Sequence, residues 1–238
     1  MEIQTVYSKK VKSPYGVIHM LTIEEILDDI GEDLYNEMLL AFSISLDIFK
    51  LDPNLKSQMK NFDIYFLVKE PIGTQGLTYM DLLVQGLKIF FKTDNIKVSE
   101  EMVSILMNDE IVINRDNFDD LANCVLKAYS KERIETEQEP EFKDEEDRKL
   151  WLKIQKAKRR RESKEAITLK DMLDVVLHSK TTAYTYESIV RLTYSQLINS
   201  YKIVMNIESF DFMTCFLGMG VDTKEMDLTH WSEKIRRN

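Results

Sequence analysis

Two oppositely charged stretches divide this chain of 238 residues: ERIETEQEPEFKDEED at residues 132–147 and RKLWLKIQKAKRRRESK at residues 148–164. The first has nine acidic and two basic residues, and the second has nine basic residues and one acidic residue. The acidic stretch contains too few apolar residues to form a core of its own. We therefore predict a helix-rich lobe at 1–131 and a helical lobe with a tail at 166–238. The segment 132–165 is predicted to be a mobile acidic linker that leads into a basic helix.

The sequence on both sides of this segment predicts a mainly α fold. Hydrophobic residues make up 44% of the chain, which is enough for a core, and there are only seven Gly and four Pro. A turn-dense β-sandwich needs more of these turn residues. Apolar residues recur at helical spacing, with capping residues at Thr22, Asp116 and Thr168. Helices are predicted at residues 23–30, 32–51, 78–93, 117–130, 169–177, 186–205 and 210–217.

The clearest β signal lies between residues 96 and 113. Apolar and polar residues alternate before and after Asn108-Asp109, a pair that favours tight turns, so we predict a small hairpin there. A short extended segment is predicted within residues 6–21, and residues 62–68 fit a strand and a buried helix equally well. The predicted architecture is mainly α with a small β-hairpin element, in two helical lobes joined by a charged linker and helix.

The composition favours a soluble protein of the cytoplasm. The net charge is −9, which argues against a general affinity for nucleic acid, since binding to phosphates needs a basic surface. The first residues form no basic and apolar leader, and no run approaches the roughly 18 apolar residues of a membrane span. Cys124 and Cys215 stand far apart in apolar contexts, so both are predicted to be buried free thiols.

Residues for catalysis are not grouped in any recognisable motif. The three histidines, His19, His178 and His230, are isolated and show no metal-ligand spacing. The sequence has no glycine-rich phosphate loop, and neither cysteine has a basic neighbour that would activate it. We therefore predict a protein that is not an enzyme and has no cofactor or metal site. A cleft that gathers His178 or His230 with carboxylates or a thiol would contradict this prediction.

The predicted basic helix is the best candidate for a partner-binding surface. Its apolar strip would consist of Leu150, Trp151 and Ile154. Basic side chains would form the rim of this strip: Lys156, Lys158, Arg159, Arg160 and Arg161. The simplest interpretation is a solvated helix whose charges pair with the preceding acidic run. A helix that docks onto an acidic protein is a second interpretation. A contact for nucleic-acid phosphates is a third, although stacking aromatic residues are scarce there.

The end of the chain offers a second candidate surface. Leu228, Trp231 and Ile235 share one helical face, so we predict a tail that docks onto its own core or onto another chain. The sequence has 12 methionines, whose flexible side chains suit adaptable partner surfaces, although core packing explains most of them. A DNA-binding helix-turn-helix fits residues 169–205 only loosely, because the connection at 179–185 is long for that motif.

Three stretches also carry a family resemblance: Glu145–Lys156, the run Arg159–Arg161, and the terminal Asp227-Leu228-Thr229-His230-Trp231. With the order of helical lobe, charged connection and C-terminal extension, they resemble the tail assembly chaperones of long-tailed bacteriophages that infect Gram-positive hosts. The resemblance implies a protein that coats the apolar, helical tape measure protein before the tail tube polymerises around it. It also implies that the protein is absent from the finished particle.

We therefore expect a tail assembly chaperone, or a similar morphogenesis factor, in the cytoplasm of the host cell. Its expected partner is a protein, either the tape measure protein or another tail protein, and self-association is possible. Two other classes stay open. A structural virion component, such as a tail or head–tail connector subunit, would form rings of fixed stoichiometry. A nucleic-acid-binding protein that uses Lys156–Lys164 would lose affinity steeply with salt.

Overall fold

The computed structural model describes residues 8–49, 52–73, 75–131, 133, 145–165, 167–219 and 230. The fold is mainly α with small antiparallel β elements, as predicted. Six helices of ten or more residues lie in the described ranges: α1 Glu32–Ser43, α2 Tyr79–Phe91, α3 Phe118–Ala128, α4 Glu145–Glu165, α5 Leu169–His178 and α6 Tyr194–Gly218. The shorter helical segments are a π-helix at Glu25–Ile30, one-turn helices at Pro53–Lys56, Ile64–Leu67 and Tyr186–Ile189, and 3-10 turns at Leu46–Ile48 and Asn61–Asp63.

The strands in the described ranges form two small antiparallel sheets. Strands β1 (Lys10–Ser13) and β2 (Gly16–His19) pair as a hairpin within the segment predicted to be extended. Strands β3 (Ile96–Ser99), β4 (Ser104–Met107) and β5 (Ile111–Ile113) form a three-stranded sheet in that order. The turn between β4 and β5 contains Asn108 and Asp109 with φ of 57° and 59°, which suits a tight hairpin turn. The predicted hairpin is confirmed, with β3 as an additional strand.

Several helices begin with reciprocal hydrogen bonds between side chain and backbone. Thr78 and Asp81 form such a capping box at α2, and Thr168 and Asp171 form one at α5, where the sequence predicts a cap. Thr22 Oγ1 accepts a hydrogen bond from the backbone N–H of Glu25, which also agrees with the prediction. The predicted cap at Asp116 is wrong. Its carboxylate instead pairs with the Lys60 ammonium at 2.6 Å.

The helix predicted at 32–51 ends early, at Ser43. Ile44 is extended, and the Ser45 hydroxyl accepts a hydrogen bond from the Asp47 backbone N–H to start a 3-10 turn. The backbone N–H of Leu46 donates to Asn61 Oδ1 at 2.8 Å, outside the helix. Local side-chain acceptors therefore compete with helix continuation.

The helices predicted at 186–205 and 210–217 divide differently in the structure. A one-turn helix ends at Ile189, and α6 then runs without interruption from Tyr194 to Gly218. The side chains of Thr193 and Gln196 form a capping box that starts α6. No Gly or Pro lies between 194 and 217, so nothing in the sequence breaks the helix where a boundary is predicted.

The core is rich in buried aromatic rings. Phe62, Tyr65 and Phe118 meet at centroid distances of 5.0 to 6.0 Å, and Phe90 lies 4.7 Å from Tyr129. These rings join α2 and α3 with the turns around residues 61–67. Gly86 allows α2 to approach α1 closely, because a Cβ atom there would lie 2.6 Å from the Phe42 ring.

Residues on both sides of the charged segment contact each other directly. The backbone N–H groups of Ile23 and Glu24 donate to the carbonyls of Leu192 and Val190, both at 2.9 Å. The Tyr194 ring lies 5.5 Å from the Tyr35 ring of α1. Ser195 Oγ donates to the Ala128 carbonyl at the end of α3, at 3.2 Å. Backbone pairing, aromatic contact and a buried hydrogen bond thus hold the start of α6 against the earlier part of the chain. The division into lobes at 131 and 166 stays a prediction.

Candidate protein-interaction surfaces

Where the structure describes its side chains, helix α4 is largely exposed. None of its described side chains is buried, and Leu150 and Ile154 are 58% and 55% exposed. They lie four residues apart on one face of the helix, next to the half-buried Trp151. Leu150, Trp151 and Ile154 thus lie on an exposed part of a helix, and their role in binding stays a prediction. Burial of two large aliphatic side chains in a partner would be favourable.

The charges of α4 are arranged as an acidic first turn followed by basic turns. Glu145, Glu146 and Asp147 occupy the first turn, where the helix dipole favours negative charge. Lys156 and Lys158 are exposed further along. The backbone of Arg159, Arg160 and Arg161 is helical, whereas their side chains lie outside what the structure describes. Leu228, Trp231 and Ile235, the candidate residues of the tail, lie outside the described residues.

The first half of α6 packs on the core, and the second half does not. Leu197 and Val204 are buried, but no described side chain of α6 beyond Val204 is. Phe212 is 64% exposed, and Met219, immediately after the helix, is 77% exposed. Large apolar side chains along one face of a helix are usually covered by other parts of a protein. The second half of α6 is therefore the strongest candidate for a binding surface.

Four side chains on this half of α6 form a stripe, the Met-Phe stripe, consisting of Met205, Phe212, Phe216 and Met219. Their separations of seven, four and three residues place them on one side of the helix. The rings of Phe212 and Phe216 contact edge to face at 4.5 Å. In the first half of α6, Tyr194, Ile198 and Tyr201 lie in line with the stripe, where Tyr194 is buried and the other two pack against the core. The stripe thus continues the core-facing side of α6 past the end of the core.

The sequence pattern only partly anticipates this stripe. Met205 and Met219 are among the methionines considered for partner surfaces, but Phe212 and Phe216 belong to a predicted separate helix. The helical run from Tyr194 to Leu217 is uninterrupted and much longer than the 12 residues of α1. This length is the signal that indicates an overhanging helix, that is, one that extends past the end of the core.

A shallow apolar groove lies where α5 meets the π-helix. Its apolar lining consists of Leu27, Leu169, Leu173, Leu177, Tyr186, Ile189 and Val190. Its volume is about 290 Å³, and Glu32, Lys170 and Asp174 stand at its rim. Lys170 and Asp174 pair with each other at 2.6 Å. The groove could accept an apolar side chain.

Burial and neighbouring charges shift the pKa values of several side chains. Burial, followed by the nearby Lys92 and Lys10, lowers the pKa of His19. Burial also raises the pKa of the half-buried Cys124 thiol, which makes it a poorer nucleophile. Cys215 is exposed, so the prediction that both thiols are buried is wrong for Cys215, which lies on the overhanging half of α6.

Within the described ranges, no three His, Cys, Asp or Glu side chains come together in a way that could hold a metal ion. His178 lies near the Tyr186 ring, at 6.5 Å between centroids, and the His230 ring contacts Phe210 at 4.8 Å. None of the described helices is both long enough and apolar enough to span a bilayer.

Comparison with known proteins gives one match. Residues 158–236 match a family model described as the YomV second domain. The family is phage-associated, and YomV is a Bacillus prophage protein. The matched residues begin within α4 and include all of α5 and α6, about a third of the chain. No curated protein and no solved structure matches the chain. The later part of this chain is thus similar to a phage-associated domain.

Proposed function

We propose that this protein is a non-enzymatic phage morphogenesis factor, a tail assembly chaperone that binds the tape measure protein in the host cytoplasm during tail assembly. The observation that carries the proposal is the Met-Phe stripe on the overhanging half of α6. The similarity of residues 158–236 to a phage-associated domain supports the phage setting.

The chemistry of the stripe suits an apolar helical partner. Aromatic rings supply large apolar area, and methionine side chains adapt to surfaces of different shapes. An amphipathic helix presents anchors at intervals of three, four and seven residues, which match the separations within the stripe. Apolar burial contributes about 25 cal/mol per Å², so a few such side chains are enough for a reversible complex. A chaperone needs this reversibility, because the partner must be released into the tail.

Helix α4 would make a second contact in the same complex. Its exposed Leu150 and Ile154 would be buried, and the basic side chains that include Lys156 and Lys158 would attract acidic segments of the partner. This attraction increases the association rate more than the affinity, and salt weakens it. The net charge of −9 keeps the remaining surface hydrated and limits aggregation of the bound complex.

The proposal is tested by co-purification of the protein with fragments of the tape measure protein encoded by the same phage. Phe212→Asp should reduce the affinity by about 10-fold or more, since burial of a Phe side chain contributes roughly 1.5–3 kcal/mol. Phe212→Leu, which keeps an apolar side chain, is the matched control and should retain most of the binding. Unchanged affinity of Phe212→Asp for every fragment would contradict the proposal.

Analysis of purified phage particles separates this function from the other classes. A chaperone should be absent from the particle, whereas a fixed copy number there would instead indicate a tail or head–tail connector subunit. A band shift with DNA or RNA that depends on Lys156 and Lys158 would indicate a nucleic-acid-binding protein.

A further inference from the structure

The groove between α5 and the π-helix combines buried and exposed apolar side chains. Leu169 and Ile189 are buried, whereas Leu27 and Tyr186 are 41% and 69% exposed. The described part of the chain therefore leaves apolar surface of this groove in contact with water. Burial of that surface by a partner would be favourable, and the groove has room for aliphatic side chains.

The surroundings of the groove are acidic. Residues 24–33, which include the π-helix and the start of α1, contain six acidic residues and no basic residue. Glu32 stands at the rim of the groove, and Asp28 is exposed directly after a lining leucine. The backbone N–H of Glu24 donates to the carbonyl of Val190, another lining residue, at 2.9 Å. This acidic segment therefore lies along one edge of the groove.

Basic residues near the groove offset this charge only in part. Lys170 at the rim pairs with Asp174 at 2.6 Å, and α5 as a whole contains two acidic residues and one lysine. Arg191 is exposed next to Val190 and is balanced by Glu187 in the preceding one-turn helix. The groove thus fits a partner that presents aliphatic side chains together with positive charge.

Helix α4 has both of these properties. Leu150 and Ile154 are exposed on one face of the helix, and the exposed Lys153 and Lys158 flank this face on either side. Residues 148–161 contain eight basic residues and no acidic residue. The α4 of the same chain does not fill the groove, because the apolar side chains of both surfaces are exposed.

We propose that α4 of a second copy of this chain docks into the groove between α5 and the π-helix. Leu150 and Ile154 enter the groove beside Leu27, and the basic side chains of α4 face the acidic residues 24–33. Because α4 and the groove are different surfaces, two copies can exchange them in a symmetric dimer or link head to tail. Self-association and the contact of α4 with the tape measure protein then exclude each other.

Mixing two defective variants of the full-length protein tests this contact. Leu27→Asp damages the groove and Ile154→Asp damages α4. We expect each variant alone to self-associate at least 10-fold more weakly than the unchanged protein, as measured by sedimentation velocity. An equimolar mixture should associate more strongly than either variant alone. The reason is that the intact groove of the Ile154→Asp copy accepts the intact α4 of the Leu27→Asp copy.

Matched controls change exposed leucines away from the contact. Leu152 lies on the side of α4 opposite Leu150 and Ile154, and Leu55 lies in the one-turn helix Pro53–Lys56. Leu152→Asp and Leu55→Asp should therefore self-associate like the unchanged protein. Asp28→Lys combined with Asp29→Lys is a second groove variant that changes only exposed side chains. It should also weaken self-association and make it less sensitive to salt.

A protein that stays monomeric at about 0.1 mM, or a mixture that associates no more strongly than its components, would overturn the inference. Carbodiimide cross-linking of isotope-labelled with unlabelled protein identifies the occupant of the groove. Cross-links between Lys156 and residues 24–33 should join different molecules, and cross-links only within one molecule would show that a chain binds its own α4. These experiments use the protein without a partner, so their failure is distinguishable from failure of the proposed chaperone function.

Discussion

The two halves of α6 bear similar apolar side chains, but only the first half is covered by the core. Leu197 and Val204 on the core-facing side are buried, whereas Phe212 and Met219 on the same side are exposed. The core ends partway along a helix that continues to Gly218. The same kind of side chain therefore stabilises the fold in one half and is available for binding in the other.

Helix α4 differs from both halves of α6, because charged residues keep its exposed surface hydrated. Its acidic first turn and basic later turns surround the exposed apolar side chains of Leu150, Leu152 and Ile154. The overhanging half of α6 has no comparable run of charge, and its polar residues are scattered. Exposure of α4 follows from its composition, whereas exposure of α6 needs another explanation. The proposed protein partner would provide one.

The largest expected difference between the halves of α6 is in stability. Leu197→Ala should lower the free energy of unfolding by about 2–5 kcal/mol, because it leaves a cavity at a fully buried site. Phe212→Ala should change it by less than about 0.5 kcal/mol, as expected at an exposed site. Urea unfolding followed by circular dichroism measures both. Similar losses for the two variants would show that Phe212 also belongs to the folded core.

A smaller effect on stability is expected at Thr193, where α6 begins. Thr193 Oγ1 accepts a hydrogen bond from the Gln196 backbone N–H at 3.3 Å, and Thr193 is buried beside Thr22. Thr193→Ala should lower the free energy of unfolding by about 1 kcal/mol, the usual contribution of such a cap. Thr193→Ser retains the hydroxyl and should recover most of this loss in the same urea experiment. If serine and alanine behave alike, the methyl group and not the cap stabilises this site.

Local sequence signals predict the elements of this fold well. The capping residues Thr22 and Thr168 mark helix starts correctly, because capping depends on residues only three positions apart. The alternation around Asn108-Asp109 likewise predicts β4 and β5. Each of these signals lies within a few residues of the element that it specifies.

Features that depend on residues far apart in the sequence cannot be predicted from such local signals. The antiparallel bridge between Thr22 and Thr193 joins segments that lie far apart in the sequence, and no local pattern specifies it. Helical periodicity also cannot distinguish Leu197, which the core covers, from Phe212, which it does not. The candidate apolar residues on α4 can be predicted from the sequence because the helix around them is unusually rich in charged residues. The Met-Phe stripe becomes recognisable only when the end of the core is known.

The smallest effect on stability, and a distinct effect on binding, is expected in α4. Changing Arg159, Arg160 and Arg161 together to Gln should alter the free energy of unfolding by less than about 0.5 kcal/mol, because Gln also has a polar side chain and a good helix propensity. If α4 attracts an acidic partner, association should slow, and its dependence on salt should weaken. A matched control changes Lys9, Lys10 and Lys12, three exposed lysines in and beside β1, to Gln, with the same loss of charge. Stopped-flow association at two salt concentrations separates the two variants. Equal slowing would show that net charge, and not the position of α4, steers the partner.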